Sequence, residues 1–244
     1  MFNNIPPITR NIIIINVIVF IVANFIFPQL YDILSGYYPF SPNFKSWQII
    51  THMFMHASVK ESGGIMHILF NMFTLFSFGP VLEQTLGDKR YLILYFLSGL
   101  GAFFLFNLWN FIEFQQLVSQ LQSMNIDVKD FLNSLINNLD QTPIINEEEK
   151  NLAEIYLGRM VGASGAIFGV VAAFATLYPD AKIGIMFIPV PIKVKYLLPI
   201  IIIISIWLGV SGNGGGIAHL AHVGGALVGW LLARSWKKHL YRFN

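Results

Sequence analysis

The 244-residue chain has no cysteine, which excludes disulfide staples, thiol nucleophiles and cysteine-bound metals. Charge is the next shortage. The 15 Lys and Arg with the 13 Asp and Glu make up 11% of the chain, against about 25% in an ordinary water-facing domain. A soluble surface of normal chemistry is therefore excluded. The net charge of +2 is too small to argue for nucleic acid, and no basic run or aromatic-interleaved stripe offers it a groove. The H-E-x-x-H pattern is missing too, which disfavours metalloprotease chemistry. What fills the chain instead is apolar: 55% of residues are hydrophobic. The few charges are clustered, leaving several apolar stretches of about 18 residues or more, enough to cross a hydrocarbon core roughly 30 Å thick. The composition predicts an all-α, polytopic membrane protein.

Six spans are expected. The first runs from Asn11 to Phe27, behind Arg10 and closed by Pro28. A cleaved signal peptide is the competing reading, disfavoured because the apolar run exceeds the usual length and no clear A-x-A site follows. The second runs from about Met66 to Leu82, the third from Tyr91 to Phe111 and the fourth from Val161 to Tyr178. Pro189, Pro191, Lys193 and Lys195 interrupt the fifth, whose core is placed at Tyr196 to Val210 with Ile183 to Val190 as an apolar approach. The sixth covers Ile217 to Trp236. Asn213 to Gly216 reads as a glycine-rich turn; no strand precedes it and no Lys follows, so it is not a phosphate loop.

Lys and Arg accumulate on the cytoplasmic side of membrane proteins, and here they divide two to one. Arg10, Lys89, Arg90, Lys182, Lys193, Lys195, Arg234, Lys237, Lys238 and Arg242 share the side of both termini; Lys45, Lys60, Lys129, Lys150 and Arg159 lie opposite. Both termini are expected in the cytoplasm, so spans two, four and six all enter from the outer face. With no visible transit peptide, a bacterial inner (plasma) membrane is the expected location. The polar stretch from Glu113 to Gly158 holds eight of the thirteen acids. It also has a helical stripe of Phe131, Leu132, Leu135, Ile136 and Leu139. It reads as a solvated helical cap, or as a lid or interfacial helix beside the site. The resulting organisation is 1–112 (spans one to three with the first outer loop), 113–158 (outer insertion) and 159–244 (spans four to six).

Ionisable and polar side chains inside a span are costly and therefore functional suspects. Span four carries Gly162-Ala163-Ser164-Gly165 at its outer end. Alone, such a stretch more often serves helix packing, with the serine bonded to its own carbonyls, than nucleophilic attack. Span six supplies Ala218-His219-Leu220-Ala221-His222-Val223-Gly224-Gly225, two imidazoles about one turn apart, either of which could take a proton from serine. His67 and Asn71 lie at i and i+4 of span two and project from one face. By helix rise, Ser164, His222, His67 and Asn71 all fall within roughly 10 Å of the outer ends of their spans. The arrangement joins a nucleophile, a base and oxyanion donors. Two small-residue stripes, Gly165/Gly169/Ala173 and Ala221/Gly225/Gly229, predict close packing of spans four and six. No carboxylate is placed to complete a triad, so a Ser-His dyad is expected.

These residues resemble the rhomboid family of intramembrane serine proteases: His67-x-x-x-Asn71, Gly162-Ala163-Ser164-Gly165 and Ala221-His222-Val223-Gly224-Gly225, with Gly79, Glu83 and Gly87 similar to its G-x-x-x-E-x-x-x-G. The resemblance implies a six-helix rhomboid-like bundle, with residues 113–158 inserted between spans three and four. It implies Ser164 as nucleophile, His222 as general base, and His67, Asn71 and the Ser164 backbone N–H as oxyanion donors. His222 is preferred over His219 because Gly225 and Gly229 follow it in the family's spacing; His219 and Gly162 are secondary site residues. Glu83 would be structural, and Tyr31 to Ile65 would be a first outer loop partly in the bilayer edge. The family's Trp-Arg pair is broken here, because Trp47 precedes Gln48. His52 and His56 are expected to hydrogen-bond within the loop. Neither metal nor other cofactor is needed, and the partners would be the lipid bilayer and transmembrane protein substrates. A non-catalytic relative that binds transmembrane clients is the alternative. A channel lined by the same histidines fits less well, since no polar residues continue through the spans. Client and oligomeric state are not encoded legibly.

Overall fold

The computed structural model describes residues 5–137, 142–185, 188–210 and 218–240. The expected turn at Asn213 to Gly216, and Arg242, lie outside them. The fold is mostly helical. Helix α1 (Pro7–Ile21) continues into one π-helical turn (Val22–Ile26). A first loop region follows, with a short helix α2 (Leu30–Leu34), strand β1 (Gly36–Tyr37), helix α3 (Gln48–Thr51) and a 3-10 turn (His52–Phe54). Helices α4 (Gly64–Leu86) and α5 (Asp88–Ser123) are joined through Gly87 alone. Then come α6 (Val128–Asn137), α7 (Glu147–Leu157) and β2 (Arg159–Met160). The chain ends in α8 (Ser164–Leu177), a hairpin of β3 (Lys182–Ile185) and β4 (Ile188–Lys193), α9 (Val194–Val210) and α10 (Ala218–Leu240).

Among the described residues, three helices are long and apolar enough to cross a membrane: Pro7–Ile26, Gly64–Leu86 and Asp88–Ser123. Helix α8 is as apolar but has only 14 residues. Its partners explain why it can be short and buried. A side chain added at Gly225 would collide with the carbonyl of Gly165, and one at Gly229 with the carbonyl of Gly169. A third helix joins this seam: side chains at Gly165 and Gly169 would strike Ala102 and Ser98 of α5. The small residues expected at the interface of α8 and α10 thus bring backbone against backbone. The core around them combines Leu75, Leu82, Leu94, Ala166, Val170 and Ala173, all fully buried.

Two elements depart from the expected spans. Helix α5 is 36 residues long, about 54 Å by helix rise, and passes beyond Phe111 into the polar stretch without a break. Its far third packs with α6 and α7 in a separate small core of Leu117, Leu121, Phe131, Leu135 and Leu152, and this core rests on Tyr38 of the first loop. Of the expected amphipathic stripe, Phe131 and Leu135 are buried and Leu132 packs against them, whereas Ile136 is exposed and Leu139 lies outside the described residues. The second departure is the approach to span five, which is an antiparallel hairpin, Lys182 facing Lys193. Its alternating Ile and Val with two prolines suit strands better than helix. Asp180 accepts from Lys193 and Lys195 at 2.9 and 2.8 Å at the hairpin base, and these two ammonium groups hold its carboxyl down to about 2.

The G-x-x-x-E-x-x-x-G run has a physical reading. Glu83 is buried, and its carboxylate accepts from the backbone N–H of Ile8 (2.8 Å) and of Thr9 (2.7 Å) and from the Thr9 hydroxyl (2.7 Å). Those N–H groups belong to the first turn of α1, which has no partners within the helix and favours an anion. Gly79, one turn earlier, leaves room for Thr9 and the Tyr91 hydroxyl, 2.6 to 2.9 Å from where its side chain would begin. Gly87 supplies the left-handed φ of +77° that ends α4. Glu83→Ala strands the backbone N–H donors of Ile8 and Thr9 and is expected to cost roughly 2–6 kcal/mol, at about 1–3 per unmet donor. Glu83→Gln should cost less. Unfolding in detergent, followed by circular dichroism, measures both.

Candidate active site

Ser164 is the first residue of α8, and the corner before it is built by glycine. Gly162 has φ of +129°, a backbone conformation closed to most side chains, and its N–H donates to the His52 carbonyl at 3.2 Å. Five residues upstream of Ser164, β2 pairs antiparallel with β1, Gly36 opposite Met160 and Tyr37 opposite Arg159. The serine is thereby held by the first loop on one side and by the glycine seam on the other.

The seam carries His222 to it. Nε2 of His222 lies 2.9 Å from Ser164 Oγ, the hydrogen-bond reach that base-assisted attack requires. The imidazole is stacked on Phe168, with ring centroids 4.2 Å apart and planes within 2°. Phe168 follows Ser164 by four residues on the same helix, so one face of α8 presents both the hydroxyl and the flat surface that fixes the ring. No Asp or Glu lines the cavity at this site among the described residues. His219 stands edge-on to His222 with centroids 6.1 Å apart and does not line that cavity among the described residues.

His67 and Asn71 of α4 face the same cavity, about 480 Å³, together with Ser164 and His222. The Ala57 N–H donates to His67 Nδ1 at 3.4 Å. A neutral His67 that accepts at Nδ1 carries its proton on Nε2, the nitrogen facing Gly162 and Ser164. A Cβ built on Gly162 would sit 3.2 Å from His67 Cε1 and Nε2 and 3.4 Å from Ser164 Oγ. The three residues therefore surround a space the size of one small atom. Asn71 Nδ2 is buried without a hydrogen-bond partner among the described residues. Leaving such a donor unmet costs about 1–3 kcal/mol, and Asn71 stands where an acceptor entering the cavity could meet it. Apart from Thr74, the remaining lining is apolar: Phe70, Phe78, Ile167, Val171, Leu198 and Ile201 among others. No residue of 113–158 lines the cavity among the described residues, so the helices there cap the first loop rather than this opening.

The two loop histidines differ. His52 Nδ1 donates to the Gln48 carbonyl at 2.8 Å, the expected loop bond; burial lowers its pKa to about 4. His56 differs: among the described residues both ring nitrogens are buried without a hydrogen-bond partner within bonding geometry, and the ring packs 5.3 Å from that of His67. Burial, with His67 beside it, lowers its pKa to about 3, so it backs His67 as a neutral ring. Gln48, at the position after Trp47, replaces an arginine with hydrogen bonds of its own. Its Nε2 donates to the carbonyls of Asp32, Ile33 and Asn43, each at 3.3 Å, and its Oε1 accepts from the Lys45 N–H at 2.8 Å. Phe168, His56 and Gln48 escape a motif reading; only the i, i+4 spacing of Ser164 and Phe168 was there to signal the first.

Among known proteins, the family profile described as Rhomboid domain matches residues 43–123 and 128–237. The rhomboid protease AarA of Providencia stuartii is 26% identical over 191 residues, covering 77% of this chain and 54% of that protein. Rhomboid protein 1, mitochondrial, of Saccharomyces cerevisiae is 27% identical over 184 residues, 72% of this chain and 40% of that protein. The rhomboid protease GlpG of Klebsiella pneumoniae is 31% identical over 100 residues, 40% of this chain and 34% of that protein. The chain spans about half the length of these curated relatives or less.

Gly162→Ala is expected to lower stability by about 1–3 kcal/mol through backbone strain. It should also push the His67 ring away from Ser164. A melting curve in detergent reads the first effect, and the His67 ring resonances in an NMR spectrum read the second.

Proposed function

The chain belongs to the rhomboid family of polytopic membrane proteins, and from that premise we propose that it is an intramembrane serine endopeptidase using a Ser164–His222 dyad. The substrate would be a membrane protein cut in or near its transmembrane segment. The observation that carries this reading is the 2.9 Å bond between His222 Nε2 and Ser164 Oγ, in a cavity that also holds His67 and Asn71.

On this reading His222 Nε2 takes the hydroxyl proton as Ser164 Oγ bonds to the scissile carbonyl carbon. The negative charge that develops on the carbonyl oxygen is met by His67 Nε2–H, the unpartnered Asn71 Nδ2–H and the Ser164 backbone N–H. His222 then protonates the leaving amine, and the C–N bond breaks. Water, deprotonated by the same nitrogen, attacks the acyl-enzyme and frees the serine. No carboxylate orients the base; the Phe168 face does so by stacking. His219 and Gly162 are secondary site residues, one beside the base and the other leaving room for the oxyanion.

Six spans, α1, α4, α5, α8, α9 and α10, make the proposed topology, with both termini cytoplasmic on the charge asymmetry. The domain reading stays 1–112, 113–158 and 159–244, the middle piece an outer cap. A 14-residue α8 is about 21 Å long, shorter than a core of roughly 30 Å. With its C-terminal end at the inner boundary, Ser164 would lie about 9 Å below the outer one, reached by water from outside. Helices α4 and α9 both line the cavity, through Phe70, Thr74 and Phe78 and through Leu198 and Ile201, and a substrate helix would approach between them. The proposed location is a bacterial inner membrane.

A serine-directed fluorophosphonate tests the dyad without a known client. Wild type in detergent should be labelled; Ser164→Ala and His222→Ala should not be, while His219→Ala keeps its label. An unlabelled but folded wild type across several probe chemistries would sink the protease reading. Asn71→Leu is expected to slow labelling roughly 10²-fold, the low end for a lost oxyanion donor.

A further inference from the structure

Arg159 lies outside the dyad and does not line its cavity among the described residues, yet two separate segments meet on its side chain. One guanidinium nitrogen is 3.3 Å from Glu61 Oε1, the other 4.0 Å from Asp32 Oδ1. The guanidinium carbon sits 4.8 Å above the Tyr31 ring. Tyr31 and Asp32 belong to α2 of the first loop. Glu61 belongs to the loop that leads into α4: its N–H donates to the Ser58 carbonyl at 2.9 Å, and its own carbonyl accepts from Gly64 at 3.1 Å.

The two chains that Arg159 joins each run directly into the site. Six residues after Glu61 comes His67, held at Nδ1 by Ala57 of the same loop. Five residues after Arg159 comes Ser164, by way of Gly162, whose missing side chain leaves the space between Ser164 and His67. The short pairing of β2 with β1 supplies only two residues of register. Planar, forked and stackable, an arginine can hold a carboxylate and an aromatic face together as lysine cannot.

We propose that Arg159 is a positioning residue that sets the distance between Ser164 and His67, and so the width of the oxyanion pocket. This rests on the roles given above to Ser164 and His67. The side chain is 39% exposed and its carboxylate partners more so. Ion pairs of that kind add little to stability, whereas a misplacement of about 1 Å can cost 10²-fold in rate. The effect should therefore appear in chemistry and not in melting.

The test is fluorophosphonate labelling of the full chain in detergent, resolved into the inactivation rate constant and the probe's half-saturation, alongside melting curves. Arg159→Gln should lower the rate constant about tenfold or more, with half-saturation and melting temperature near wild type. Arg159→Lys should recover part of it. The exchanged pair Arg159→Glu with Glu61→Arg should label faster than Arg159→Glu alone. Arg159→Gln at the wild-type rate overturns the proposal, as does a loss that follows melting temperature and is rescued by neither variant. A wild type labelled no faster than Ser164→Ala overturns the dyad, and this proposal with it.

Discussion

The arrangement depends on one constraint: α8 and α10 touch through their backbones. With a carbonyl of Gly165 where a side chain of Gly225 would be, and a carbonyl of Gly169 where one of Gly229 would be, the two helices cannot separate by a side chain's width. That fixes His222 against Ser164. In lipid there is little hydrophobic force between helices, so close packing of small residues must supply the association. The same glycines that make a stable seam therefore also make a reactive distance, and the site could not be moved to a wider helix pair without losing its hydrogen bond.

A second feature is that no Asp or Glu lines the cavity beside His222 among the described residues. A carboxylate buried in this cavity would need partners for its charge, and the lining is mostly apolar. The ring of Phe168 orients His222 without adding charge. Polar groups in the site stay few, and most are explained: His67 by Ala57, Ser164 by His222. Asn71 is the exception that faces the opening. Charge is used instead away from this cavity, by buried Glu83 at the start of α1 and by Arg159 among the loops, where helix ends or water lower its cost.

Much of this was legible in the sequence because spans and small-residue stripes are repetitive signals. Ser164, His222, His67 and Asn71 could be brought to one level by counting helix rise, and the cavity contains all four. Other features were hidden for physical reasons. The hairpin at 182–193 is as apolar as a span, and composition does not separate strand from helix in so short a run. Helix α5 continues past Phe111 because its polar third finds a core with α6 and α7, a tertiary contact without a local signal. Phe168 looks like any lipid-facing aromatic until its partner's ring is placed on it. Arg159 and Gln48 act through loop carbonyls and carboxylates that are distant in sequence, and no spacing rule reaches them.

The position of Ser164 as the first residue of α8 has a bearing on the electrostatics around its hydroxyl. The opening turn of a helix has N–H groups without internal acceptors and a positive partial charge of about half a unit. Ile167 already donates to Ala163 at 2.9 Å, so the unspent donors are those of the residues just before it, around the serine itself. A field of this origin comes from aligned peptide bonds, and no change of pH can remove it. A serine placed anywhere deeper in α8 would forgo that field. The helix is thus an electrostatic element in its own right, and its starting point decides which side chain stands in that field.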